Sequence, residues 1–152
     1  MKHSYMILIL LFTLNFILAD DGYRLWLKYD KIADTQKIQI YQSAINGFMV
    51  LSKSPTGLII KKELQNGLNG LLDTDIPEMT IMNDNAVIAG VVDDVQSMVN
   101  INLEDEIKTI GKEGYAILSY NVSQKNITII TANTETGLLY GTFHFLGLLL
   151  VI

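Results

Sequence analysis

Apolar positions along the chain form short runs and spaced stripes that predict alternating strands and helices. Two short apolar runs, residues 47–51 and 86–92, are typical of buried strands. Further along, residues 115–122 and 126–131 are separated by a short polar link, which predicts a β-hairpin. The pattern therefore indicates at least four strands.

The segment between the first two strands carries a helix start signal. Ser54 can cap free backbone amides, and Pro55 suits the first helical position, where no donor is needed. The apolar stripe that follows comprises Ile60, Leu64, Leu68, Leu71 and Leu72. A polar loop, residues 73–85, then leads to the second strand. Strand, helix and strand in this order predict a right-handed parallel crossover.

Three other segments indicate helices. Residues 35–45 fit either a helical stripe or strand alternation, and we interpret them as a helix. Residues 103–110 predict a shorter helix that Gly111 can end. A final helix, capped by Asn133 or Thr134, is apolar on nearly all sides, so we expect it to be buried or covered.

These elements together predict an α/β fold, a two-layer sandwich in which helices pack on a mixed sheet of four to five strands. The length of 152 residues fits one domain. Because 49% of residues are hydrophobic and only 18% are charged, the chain can bury a core and does not resemble a disordered protein.

The first nineteen residues have the layout of a secretory signal peptide. Lys2 precedes an apolar run, residues 5–18, and Ala19 stands before an acidic boundary at Asp20. The run is shorter than the roughly 20 residues of a membrane-spanning helix. We therefore expect export, to the periplasm or the outside of the cell, and a mature domain of residues 20–152. A buried N-terminal helix is the alternative interpretation.

Charge and cysteine content exclude several classes of function. Removal of the predicted signal peptide leaves 10 basic against 16 acidic residues, which does not favour binding to nucleic acid. The chain has no cysteine, so disulfides, thiolate catalysis and thiolate metal ligands are all excluded.

Candidate chemical groups are present, but their spacing does not favour catalysis. Two carboxyl groups that act as general acid and general base must face each other across a cleft, roughly 6.5 to 9.5 Å apart in one well-characterised arrangement. Sequence neighbours point to different sides of a helix or strand, so they make poor pairs. His144 is interpreted as a packed residue with one satisfied nitrogen, and no cofactor motif is found. We therefore predict no catalytic residue, cofactor or metal site. The acidic candidates considered are Asp93 with Asp94, Glu104 with Asp105 or Glu106, and Asp73 with Asp75.

Three aromatic residues near the start of the domain are candidate contacts for a carbohydrate or for an adjoining domain: Tyr23, Trp26 and Tyr29. Residues 21–32 alternate in polarity, which predicts an extended segment. In such a segment Tyr23 and Tyr29 face one side and Trp26 the other, so a flat platform of three rings is not expected. Hydrophobic contact with the sheet or with an adjoining domain is the favoured interpretation.

Four segments resemble, in order and at similar separations, the N-terminal domain of glycoside hydrolase family 67 α-glucuronidases. They are DGYRLWLKYDKI (21–32), SPTGLIIKKELQNGL (54–68), GKEGYAILSYN (111–121) and ANTETGLLYGTFHFLGLLL (132–150). The resemblance implies a two-layer accessory domain that precedes a catalytic (β/α)₈ barrel. In that family, barrel carboxylates remove 4-O-methylglucuronic acid from glucuronoxylan fragments with inversion. None of those positions is in this sequence, and Gly147 stands where the family would have a basic residue.

The resemblance leads us to expect a non-catalytic fragment of an enzyme of xylan breakdown, inactive without its missing C-terminal barrel. Its expected partner is that barrel, and xylo-oligosaccharide is a further candidate ligand. Because the chain ends at Ile152 inside an apolar run, we expect it to be truncated. Two alternatives stay open: a stand-alone carbohydrate-binding module that uses the Trp26 region, and an envelope protein held in the membrane by its last helix.

Overall fold

The computed structural model of the chain describes residues 29–151. The predicted signal peptide, the domain boundary at residue 20, Tyr23 and Trp26 lie outside these residues and stay predictions. The described elements are α1 (Thr35–Ala44), β1 (Gly47–Val50), α2 (Pro55–Leu72), β2 (Ala86–Val91), α3 (Val92–Val99), α4 (Glu104–Ile107), β3 (Tyr115–Val122), β4 (Lys125–Ala132) and α5 (Glu135–Val151).

The strands form one mixed sheet in the order β1-β2-β4-β3. β1, β2 and β4 run parallel, and β3 pairs antiparallel with β4. The predicted crossover through α2 and the predicted hairpin are both confirmed. Ser123 and Gln124 connect the hairpin with φ values of 51° and 65°, a left-handed pair that suits the twist of a two-residue turn. A four-stranded mixed sheet with helices packed on it confirms the predicted fold class.

Capping side chains fix where the first two helices begin. The Asp34 carboxylate accepts hydrogen bonds from the backbone amides of Gln36 and Lys37, so the ambiguous stretch is a helix, as predicted. Ser54 accepts from the amide of Gly57 at 3.0 Å, with proline at the first helical position. Both caps satisfy amides that have no partner within the helix.

The larger core lies between one face of the sheet and the helices α1, α2 and α5. Phe48, Val87 and Ile130 are fully buried there beneath the leucine stripe of α2. The two long helices approach closely because Gly67 has no side chain: an added Cβ would lie 2.6 Å from a methyl carbon of Leu146. Each buried large side chain contributes about 1.5 to 3 kcal/mol through removal of apolar surface from water.

A smaller apolar cluster covers the opposite face of the sheet. Ile88 and Ile129 pack there against Val95 and Val99 of α3, a helix that the sequence pattern did not predict. The predicted helix over residues 103–110 was wrong in extent, because only one turn forms and it ends at Ile107 rather than at Gly111.

The last helix, α5, spans 17 residues. Among residues 29–151, no helix has the combined length and apolar character that a membrane span requires.

Candidate functional site

Tyr29 is the one predicted contact residue that lies within the described part of the chain. Its side chain packs against the larger core, and its hydroxyl donates to Oε2 of Glu63 at 2.9 Å. Glu63 is a buried carboxylate on α2, 4% exposed. Gly70 lets the chain pass close by, since an added Cβ there would lie 2.4 Å from the Tyr29 carbonyl oxygen. These contacts hold Tyr29 against α2.

The acidic candidates occupy the helix ends and loops that the sequence indicated. Asp93 and Asp94 are exposed in the first turn of α3, where they complement the positive end of the helix dipole. Asp73 follows α2 and pairs with Lys31 at 2.7 Å, with both side chains more than half exposed. Asp75 accepts from a side-chain amide of α2. Each of these carboxylates is therefore stabilised by solvent or by local contacts.

Glu106 is tied to the sheet by Tyr120, whose hydroxyl donates to Oε1 of the carboxylate. This hydrogen bond lowers the pKa of Glu106 and raises the pKa of Tyr120, because it stabilises the charged acid and the neutral phenol. The contact anchors the single turn of α4 to β3.

His144 lies on the exposed side of α5. Its Nδ1 is 2.7 Å from the hydroxyl of Tyr115, and the two rings meet edge to face with centroids 5.5 Å apart. One satisfied ring nitrogen is as predicted, although the ring is exposed rather than packed inside. Within residues 29–151, no group of three His, Asp or Glu side chains is arranged to hold a metal ion.

A carboxylate clasp joins the starts of the two long helices. Ser52 donates to Oε1 of Glu135, and Ser54 donates to Oε2 at 2.6 Å. These hydrogen bonds lower the pKa of Glu135, with the bond from Ser52 as the larger cause. Gly57 makes room for the clasp, because an added Cβ would lie 2.6 Å from the carbonyl oxygen of Ser52.

The clasp lies at the carboxyl ends of β1 and β4, the edge at which open α/β sheets commonly place functional groups. Ser54 was predicted as a helix cap, but no local pattern pairs it with Glu135, 81 residues away. The two serine–glutamate hydrogen bonds link one helix start to the other, and the remaining contacts of the serines lie within the start of α2. We therefore interpret it as structural.

The outer face of α5 is largely apolar and exposed to solvent. We define it by Tyr140, Phe143, His144, Gly147, Leu150 and Val151. Tyr140 is 47% exposed, Leu150 48% and Val151 81%, and an added Cβ at Gly147 would meet nothing within 4 Å. No charged residue occurs from Thr136 to Val151. A helix that faced only water on this side would carry charged or polar residues there.

The fold is an α/β domain in which one largely apolar helix face is exposed to solvent. The family model described as "Glycosyl hydrolase family 67 N-terminus" matches residues 25–145, most of the chain. The chain therefore belongs to this family and is part of an α-glucuronidase, and the resemblance seen in the four sequence segments is confirmed. No curated protein gives a significant match.

Proposed function

We propose that this chain is the non-catalytic N-terminal domain of an α-glucuronidase that acts on the side chains of glucuronoxylan, and that it serves by packing on the enzyme's catalytic portion. The observation that carries the proposal is the outer face of α5, which is apolar and uncharged in a family described as an enzyme's N-terminus. The proposed partner of this apolar face is the remainder of the same enzyme.

Two further features support an accessory role. The acidic side chains considered as acid and base pairs lie at helix ends or in a loop, where they pair, accept a hydrogen bond or face solvent. The clasp joins the starts of two helices, and the Tyr29–Glu63 contact holds the segment before α1 against α2. These contacts stabilise the scaffold to which α5 belongs.

Activity of the chain alone is the first test. Purified chain incubated with aldotetraouronic acid is expected to release no glucuronic acid above the blank. Release of glucuronic acid that is proportional to the amount of chain would contradict the non-catalytic assignment.

The packing surface is tested in a chimera, in which residues 25–151 replace the N-terminal domain of a full-length family 67 α-glucuronidase. The double variant Tyr140→Lys with Val151→Lys is expected to lower the melting temperature and the specific activity together, because charge would be placed in an apolar interface. Ile81→Lys is the matched control, since Ile81 lies in a loop and is 73% exposed. If the double variant and the control behave alike, α5 is not the packing surface.

We also propose that residues 1–19 direct export, on the strength of their charge and apolar pattern. Expression in a secreting bacterial host should give a mature protein that begins at Asp20. Recovery of the protein inside the cell with its first residues intact would refute the export proposal.

A further inference from the structure

A shallow cavity of about 350 Å³ lies at the turn end of the β3–β4 hairpin, away from α5. We define this hairpin groove by Ala44, Asn85, Ser119, Asn121, Asn126 and Thr128. Its volume is near the lower limit of about 300 Å³ for small-molecule pockets, so it suits a ligand of one or two rings.

The floor of the groove is a block of four polar side chains on one face of the sheet. Ser119 pairs with Thr128 across the two strands, and Asn121 pairs with Asn126. All four share the face that carries the larger core further along the strands, where Ile117 and Ile130 lie under α5. The same sheet face thus changes from apolar to polar where the helix no longer covers it.

These floor groups keep unused hydrogen-bonding capacity. The Asn121 side-chain amide donates to the Asn126 side-chain oxygen at 2.9 Å, which leaves the Asn121 side-chain oxygen and the Asn126 side-chain NH₂ group open. The hydroxyls of Ser119 and Thr128 form no hydrogen bond with any of residues 29–151. Four donors or acceptors therefore face outward from fixed positions on two paired strands.

The wall of the groove is held rigid by Asn85. This residue has a left-handed φ of 59°, and its side-chain amide donates to the carbonyl of Ser43 at 2.9 Å. Its backbone amide donates to the carbonyl of Asn126 at 2.7 Å, and its own carbonyl accepts from Asn46 at 2.8 Å. Asn85 thereby links the end of α1, the start of β1 and the start of β4, and so fixes the wall relative to the floor.

The chemistry of the groove selects a neutral ligand. None of its lining side chains is charged. The carboxylate of Asp84 lies beside it and accepts from the backbone amide of Asn126 at 2.7 Å, so its negative charge disfavours phosphates and carboxylates. Amides and hydroxyls that both donate and accept match the vicinal hydroxyls of a sugar ring.

We infer that the hairpin groove is a binding site for a neutral sugar, formed by Ser119, Asn121, Asn126 and Thr128. This inference does not depend on the proposed packing of α5, which lies on the other half of the hairpin. It also differs from the aromatic region around Trp26 as a carbohydrate contact.

The inference is tested by nuclear magnetic resonance titration of the ¹⁵N-labelled chain with xylotetraose, cellotetraose and maltotetraose. A bacterial host is used, because Asn121 and Asn126 each begin a glycosylation sequon. Saturable shifts of the Asn121 and Asn126 side-chain amides are expected with at least one neutral sugar, and weaker shifts with glucuronic acid.

The double variant Ser119→Ala with Thr128→Val removes two hydroxyls and is expected to weaken binding at least about tenfold. Thr109→Val is the matched control, on an exposed turn before β3, and should bind as the parent does. Unfolding curves confirm that each variant is folded. The inference is overturned if no shift saturates up to about 10 mM sugar, or if the double variant binds as tightly as the parent. Tighter binding of glucuronic acid than of the neutral sugars, or shifts confined to the free edge of β3, would also overturn it.

Discussion

The carboxylate clasp between Ser52, Ser54 and Glu135 allows one prediction to be worked out in detail. Glu135→Ala removes both hydrogen bonds to the serines and the acidic residue from the first turn of α5. Hydrogen bonds to charged groups contribute about 1.5 to 3 kcal/mol. Because the clasp is only half buried, solvent screening reduces this to about 1 kcal/mol for each bond. The loss of favourable interaction with the helix dipole adds about 0.5 kcal/mol.

We therefore expect Glu135→Ala to lower the free energy of unfolding by about 2 to 2.5 kcal/mol. Ser52→Ala should lower it by about 1 kcal/mol. The double variant should lose less than the sum of the single variants, with a coupling energy of about 1 kcal/mol. Urea denaturation monitored by circular dichroism measures all three values. Glu113→Ala, which removes an exposed carboxylate before β3, is the matched control and should change stability by less than about 0.5 kcal/mol.

The pH dependence of stability gives an independent check that ionised Glu135 stabilises the folded state. The pKa of Glu135 lies below its ordinary value of 4.5 in the folded state, so its stabilisation is present above that pH. It is lost as the pH falls through the lowered pKa, since the protonated acid no longer gains from the serine hydroxyls. The stability gap between parent and Glu135→Ala should narrow below pH 4.5. A gap that is constant from pH 7 to pH 3, or a coupling energy below about 0.3 kcal/mol, would refute the reasoning.

Three further predictions follow from single contacts. Gly57→Ala should destabilise the domain by about 1 to 3 kcal/mol in urea denaturation, although alanine favours helices, because the new methyl group would meet a backbone oxygen; a stabilised variant would contradict the geometry. Thr131→Val should stabilise the domain by about 1 kcal/mol, since the buried Thr131 hydroxyl has no hydrogen-bond partner among the described residues. Thr142→Val should not stabilise it, because the Thr142 hydroxyl donates to the carbonyl of Leu138. Glu106→Gln should lower the pKa of Tyr120 in a spectrophotometric titration, with the assignment made by Tyr120→Phe, and an unchanged titration would exclude the hydrogen bond.

The fold was largely predictable where a local signal agreed with the hydrophobic pattern. Ser54 and Pro55 marked the start of α2, and the residues around the hairpin turn marked β3 and β4. α3 was missed because it follows β2 with no loop and begins at Val92, which the apolar run had assigned to the strand. Val91, at its start, provides no capping side chain, so the usual signal of a helix start is lacking.

The surfaces with functional interest were less predictable than the fold. The apolar character of α5 was visible in the sequence, but only packing decides which of its sides is covered. The hairpin groove depends on strand register, since Ser119 and Thr128 become neighbours only when β3 and β4 pair. The clasp depends on the meeting of two helix starts 81 residues apart. The pattern of apolar and polar residues within a short stretch of sequence does not show which distant residues come into contact.

The place of β4 in the sheet has a consequence for synthesis of the protein. β4 is the last strand in the chain, yet it lies between β2 and β3 and is the only partner of β3 in the described sheet. Before residues 125–132 leave the ribosome, β3 has no neighbour and one side of β2 stays open. Such unpaired strands attract other chains. The nascent domain is therefore most vulnerable to aggregation after β3 has been synthesised and before β4 inserts. A chaperone that assists folding is needed at this late stage of synthesis.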